Sequence, residues 1–242
     1  MKQIGIFLFV VLLAAQMSYT QEVKLQNLRN YDRKILHFGF TVGLNSADFY
    51  IRNSDNFFNV REIGEIYSIE NTQSVGFHLG PISNLRLSDN FDLRFLIDLT
   101  FAQRNLTYLV LRDTTVEGNY VFDYHDMKLA STFIEFPLLL KYKAKRINNY
   151  RPYLIAGVNY KMDLASKKKI KEEEMPKIRL QQSDFYYEIG FGVDFYTQYF
   201  KFTPELKFGV GTMNVMVGDN TQYTSSIKYL KSNVFMLSFH FE

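Results

Sequence analysis

From Leu36 to Asn45 the chain reads LHFGFTVGLN. Leu36, Phe38, Phe40, Val42 and Leu44 share one parity, and His37, Gly39, Thr41, Gly43 and Asn45 share the other. Successive side chains of a strand point to opposite faces, so this alternation predicts a strand with one bulky apolar face and one small or polar face. The pattern returns in SVGFHLG (from Ser74), FDLRFLIDLTFAQR (from Phe91), IEFPLLLKY (from Ile134) and YLIAGVNYKMD (from Tyr153). It returns again in YEIGFGVDF (from Tyr187), FKFTPELKFGVG (from Phe200) and the final FMLSFHFE (from Phe235). Eight strands are therefore predicted, most of them near the nine to eleven residues that a tilted strand needs to cross a bilayer.

The spacers between them alternate in length. Short turns are expected at Ser88–Asn90, Arg146–Tyr150 and Tyr196–Tyr199. Long polar segments are expected at Ser46–Thr72, Asn105–Met127, Ala165–Ser183 and Thr212–Ser232. An even number of strands with short turns at one end and long loops at the other is the layout of an up-and-down outer-membrane barrel. A soluble sandwich or lipocalin-like barrel also alternates, but it turns its bulky face to a core or an apolar cavity. Here the non-greasy face is rich in glycine and carries Arg94, Asp98, Glu135, Lys141, Lys161, Asp163, Glu188, Asp194, Lys201, Glu205 and Lys207, nearly balanced in sign. Balanced charge beside small residues suits a narrow lumen where acids and bases pair, with the apolar parity toward lipid. Tyr142, Tyr153, Tyr187 and Phe200 are expected at the interfacial girdle.

Composition narrows the picture further. The 242 residues carry 28 Lys and Arg against 25 Asp and Glu, with no long basic block, so no nucleic-acid partner is expected. There is no Cys, which excludes disulfide, thiolate and lipidated-cysteine chemistry. Met1-Lys2, the apolar run Ile4–Ala15 and Ser18-Tyr19-Thr20 form a secretory signal, with cleavage expected near Thr20. Residues 21–34 then form a short periplasmic N-terminal segment, and residues 35–242 the barrel.

Candidate chemistry is sparse. His37 and His240 fall near the start of the first strand and the end of the last, where a closed barrel brings the two strands together. They join Arg94, Asp98, Glu135, Lys141, Lys161, Glu188, Asp194, Glu205 and Lys207 as a candidate polar network in the lumen. A metal site there is the weaker reading, because no third ligand accompanies the histidines. Ser131, Glu135 and His78 are the residues a lipid-hydrolysing barrel would have to use. Lys143, Lys145 and Arg146 make a candidate periplasmic basic turn, suited to a partner, to anionic headgroups or to simple snorkelling. Lys167–Glu174, KKKIKEEE, is a charged loop open to docking or to water.

Several phrases carry a resemblance. NYDRKILHFGFTVGLN (Asn30–Asn45), GPISNLRLSDNFDLRFL (Gly80–Leu96), LTFAQRNLTY (Leu99–Tyr108) and FPLLLKYKAKRINNYRPYLIAGVNYKMDLA (Phe136–Ala165) together resemble the PorT/SprT family. That family comprises outer-membrane barrels of the type IX secretion and gliding-motility system. KYKAKRINNYRPYLIAG is the most specific part, because generic barrel physics does not demand its basic turn. Ile97-Asp98 departs from the small residue or proline expected in the third strand.

The expected fold is all-β: an eight-stranded antiparallel up-and-down transmembrane β-barrel in the outer membrane of a Gram-negative bacterium. The resemblance implies a non-enzymatic component of type IX protein secretion, accessory or assembling, since so narrow a barrel cannot be the conduit. A stand-alone structural or adhesive barrel, and a barrel lipid hydrolase, are the alternatives. Outer-membrane lipid and other secretion-system proteins are the expected partners, with no cofactor and no small-molecule substrate.

Overall fold

The alternation that opens at Leu36 is realised as β1 (Leu36–Asn53), whose Phe38, Phe40, Val42 and Leu44 lie exposed while Thr41 and Asn45 are buried. The computed structural model describes residues 26–54, 66–114, 120–165, 178–218 and 222–242. The other strands are β2 (Ile66–Arg86), β3 (Phe91–Leu96), β4 (Asp98–Thr114), β5 (Tyr120–Lys143), β6 (Tyr150–Asp163), β7 (Arg179–Leu180), β8 (Ser183–Tyr196), β9 (Lys201–Gly211), β10 (Met216–Val217) and β11 (Ile227–Phe241). β3 and β4 are two lengths of one barrel strand. Each strand pairs antiparallel with the next around the ring, and β1 closes it by pairing with both β2 (Leu36 opposite Leu85) and β11 (Phe40 opposite Phe241). The result is a closed ring of eight up-and-down strands, so the length of sheet around which all eight pair presents no open edge to lipid. The signal sequence expected at residues 1–20 lies outside the described residues.

The break between β3 and β4 has a local cause. Pro81 of β2 stands opposite Ile97 and accepts its N–H at 3.3 Å, but has no N–H to return. The register also places Pro137 of β5 opposite Leu96. The ladder lapses for one residue at Ile97 and then resumes.

A girdle of exposed apolar residues surrounds the half of the ring nearer the short turns. It includes Phe77 and Leu79 on β2, Leu138 and Leu140 on β5, Leu154 and Val158 on β6, and Ile189 and Phe191 on β8. Tyr142, Tyr187 and Phe200 are exposed, whereas Tyr153, expected beside them, is 3% exposed and points into the lumen. Its parity explains this, since it shares a face with Arg151 and Ile155 rather than with Leu154.

Beyond the girdle the chemistry of the two faces exchanges. On β1, Asp48 is only partly buried and Tyr50 is exposed on the outer parity, while Ala47 and Phe49 are buried. On β4 and β5, Leu106, Tyr108 and Met127 are buried, and Lys128 is exposed. Polar out and apolar in is the pattern of a sheet standing in water. Much of the residue ranges expected as loops at Ser46–Thr72 and Asn105–Met127 is thus strand: β1, β2, β4 and β5 continue past the girdle as a tall wall, with only residues 115–119 between β4 and β5. Phe49, Leu106, Tyr108, Met127 and Leu230 form the centre of a hydrophobic core inside this wall. A small sheet of β7 and β10, with Ile178 and Val215, packs onto it, and Tyr223 of the one-turn helix α1 (Gln222–Ser225) meets Tyr108 edge-on at 5.1 Å. Lys167–Glu174 lies outside the described residues.

Candidate functional site

The lumen below that core is packed with charge. Arg94, in the third strand of the ring, reaches across to Glu205 in the seventh, diametrically opposite, with Nη1 2.5 Å from Oε2. Its Nε donates to Asn84 Oδ1 at 2.9 Å, its guanidinium stands 5.4 Å from the centre of the Tyr153 ring, and the Tyr153 hydroxyl donates to the same Glu205 carboxylate. His240 Nε2 lies 3.3 Å from the other Glu205 oxygen. Lys141 donates to both oxygens of Asp194 at 2.8 Å and sits 3.8 Å over the Tyr153 ring. Lys161 pairs with Glu135 at 3.0 Å and Lys207 with Glu188 at 3.1 Å, while Asn159 donates to Glu135 and Glu188 together. Asp98 is buried against Gly80 and forms no ion pair among the described residues.

Of the eleven residues expected in this network, ten are buried within the ring, while His37, on the same inward parity of β1, is half-buried at its rim. β11 ends opposite Phe40, so His37 lies beyond its partner's last residue and opposite Asn84 of β2. Its ring stacks on Tyr31 at 4.3 Å and its Nε2 bonds the Tyr31 carbonyl at 2.7 Å. The two histidines therefore do not meet. Among the described residues no group of three or more His, Asp or Glu side chains is placed to hold a metal ion.

The basic turn also divides. Lys143 is not in a turn: it ends β5, buried, with Nζ 2.5 Å from Asp92. Lys145 is exposed. Arg146 anchors the segment before β1, donating to the Asn27 carbonyl and lying 3.6 Å over the Tyr196 ring. The left-handed backbone at Asn148 (φ 48°), tolerable to Asn, tightens the turn that presents Arg146.

Residues 26–34 form a strap across the short-turn end. Asn27 bonds Asn149 and the Tyr196 carbonyl, Tyr196 donates to Asp32 at 2.8 Å, and the Tyr31 hydroxyl donates to Glu242 at 3.3 Å. Burial, reinforced by the Glu242 carboxylate, raises the Tyr31 hydroxyl well above its ordinary pKa, so Tyr31 stays a neutral donor. Glu242 also takes Lys201 Nζ at 2.7 Å. The network expected from the sequence leaves out Asp92, Arg104 and Arg151, which sit on the inward parity of their strands, and Glu242, which directly follows β11.

The residues proposed for hydrolysis are engaged elsewhere. Ser131 Oγ accepts from Arg104 Nη2 at 2.7 Å, Glu135 serves Lys161 and Asn159, and His78 Nε2 shares a 3.0 Å hydrogen bond with Ser238 Oγ. His78 and Ser131 are not hydrogen-bonded to each other.

Strap, ion pairs and upper core fill the ring along its axis. The purified chain is expected to pass no steady ion current across a planar bilayer. Stepwise conductance like that of a water-filled porin would overturn the filled lumen.

The profile of the family described as "Outer membrane protein beta-barrel domain" matches residues 16–217. The fold is similar to that of OprG from Pseudomonas aeruginosa (14% identity, TM-score 0.43, covering 85% of this chain and 93% of that one). It is also similar to AlkL (12%, TM-score 0.38, 93% and 96%) and to Ail, the attachment invasion locus protein of Yersinia pestis (10%, TM-score 0.34, 84% and 96%). No curated protein compared with the chain matches it.

Proposed function

This chain belongs to the outer membrane protein β-barrel domain family, and within it we propose a non-enzymatic accessory of type IX protein secretion, needed for export but not the conduit. It resides in the outer membrane, where barrels of this layout turn their short connections to the periplasm. The filled lumen carries the proposal: with Arg94 pinned to Glu205 across the ring, only the two ends and the lipid-facing wall are left to act. The export system itself is suggested by the resemblance, above all by KYKAKRINNYRPYLIAG, whose Arg146 and Arg151 fasten the strap at the periplasmic end.

The test is a gene deletion, complemented by the intact gene, in which one normally exported protease is followed in medium, outer membrane and periplasm. Extracellular activity is expected to collapse while the protease accumulates inside. Undiminished export would remove the secretion role. One observation favours a second reading, a stand-alone structural or adhesive barrel: the wall of β1, β2, β4 and β5 that stands beyond the girdle with a polar outer face. For that reading the deletion leaves export intact and weakens surface attachment.

A further inference from the structure

At the short-turn end a cavity of about 530 Å³ opens between the strap and two neighbouring turns. The strap contributes Arg29 and Arg33, the end of β2 Arg86, the β5–β6 turn Lys145 and Arg146, and the start of β6 Arg151. Two carboxylates accompany these six cations. Asp32 lies 3.5 Å from Arg151 and 3.9 Å from Arg146, and Asp89 pairs with Arg86. Arg29, Arg33 and Lys145 are exposed and form no ion pair among the described residues. A concave site with a net charge of +4 and three uncommitted cations is complementary to an anion carrying several charges. Guanidinium groups favour carboxylates or phosphates held in their planar fork.

We propose that this cavity docks an acidic peptide segment, with clustered Asp or Glu, of a periplasmic protein. Position favours a protein segment over a lipid headgroup. Arg86 and Arg151 share the inward parity of their strands with Asn84 and Tyr153, so the cavity opens over the end of the ring. The lipid-facing parity beside it carries Leu85, Leu87 and Tyr142 instead. The volume is that of a site for a short peptide or other small ligand. The network beneath gives the site a rigid floor: Arg151 is tied to the carbonyls of Ala144 and Asp89, which fixes one turn against the other. The inference goes beyond the export reading and does not rest on it, so either can fail without the other.

The full chain in phosphatidylcholine nanodiscs is titrated into fluorescein-labelled hexaglutamate and followed by fluorescence polarisation. Saturable binding is expected that weakens steeply as salt is raised. The Arg29→Gln/Arg33→Gln/Lys145→Gln variant, altered only at exposed side chains outside the strands, is expected to lose about tenfold in affinity or more. A variant with the same charge loss at the far end, Arg112→Gln/Lys128→Gln/Lys228→Gln, is expected to bind as the unsubstituted chain does. Equal loss in both variants, or binding by the unsubstituted chain that is indifferent to salt, overturns the proposal. So does displacement of the peptide by pyrophosphate, or by phosphatidylglycerol added to the nanodiscs, as effective as displacement by unlabelled hexaglutamate. That result would make the cavity a phosphate or headgroup site.

Discussion

Replacing Arg94 with methionine is expected to destabilise the barrel by about 3–5 kcal/mol, because it leaves buried carboxylates without their counter-charge. Arg94 is fully buried, and Glu205 faces it with His240, the Tyr153 hydroxyl and the more distant charge of Lys207 as its other partners. A lone buried carboxylate must take up a proton or draw water into the lumen, and each route costs folding free energy. The double variant Arg94→Met/Glu205→Gln removes both charges at once and is expected to regain a large part of the loss. Buried pairs replaced together often cost far less than pairs broken singly. The chain has no Trp, so unfolding in urea is best followed by the difference in gel mobility between folded and heated barrel. A single variant as stable as the parent would mean that water already fills the space around Glu205, and the packed lumen would have to be abandoned.

The second large effect separates the girdle from the wall. Phe191 of β8 is exposed in the middle of the apolar band, and Phe191→Arg is expected to cost about 2–4 kcal/mol, the charge being forced into hydrocarbon. Tyr124 of β5 is more exposed still, at 68%, but it belongs to the wall beyond the girdle. Tyr124→Arg is expected to stay within about 1 kcal/mol of the parent. The comparison is made in vesicles, with the same gel readout. Equal costs at the two positions would contradict the boundary at which the faces exchange their chemistry.

That exchange also explains what could be read in advance. Strand phase was legible wherever lipid-facing residues alternate with charged or small ones, as from Leu36 to Leu44 or from Tyr187 to Phe195. The same rule, bulky residues outward, hid the upper halves of β1, β2, β4 and β5. There Phe49, Leu106 and Met127 turn inward and polar residues turn out, so the segments resembled loops. The lumen set was recoverable from parity alone, which is why Lys141, Lys161 and Asp194 were found. Their pairing was not, because Arg94 and Glu205 are 111 residues apart and meet only through the circumference of the ring. Lys143 was misplaced by its company: it sits among basic turn residues, yet parity puts it on the inward face, within ion-pair reach of Asp92.

The same bolt across the ring bears on how the chain must assemble. Neighbouring hairpins can form early from contacts close in sequence. Arg94 cannot find Glu205 until β3 and β9 face each other from opposite walls, and His240 joins them only with the strand that seals the seam. Until that moment acids and bases from the separate strands must remain hydrated. The last stage of folding therefore expels water from many charges together while securing the most distant contacts in the chain. Such a step is slow and cooperative. A half-closed sheet gains little from its polar face, so the ring is either sealed with its ion pairs made or still open to water.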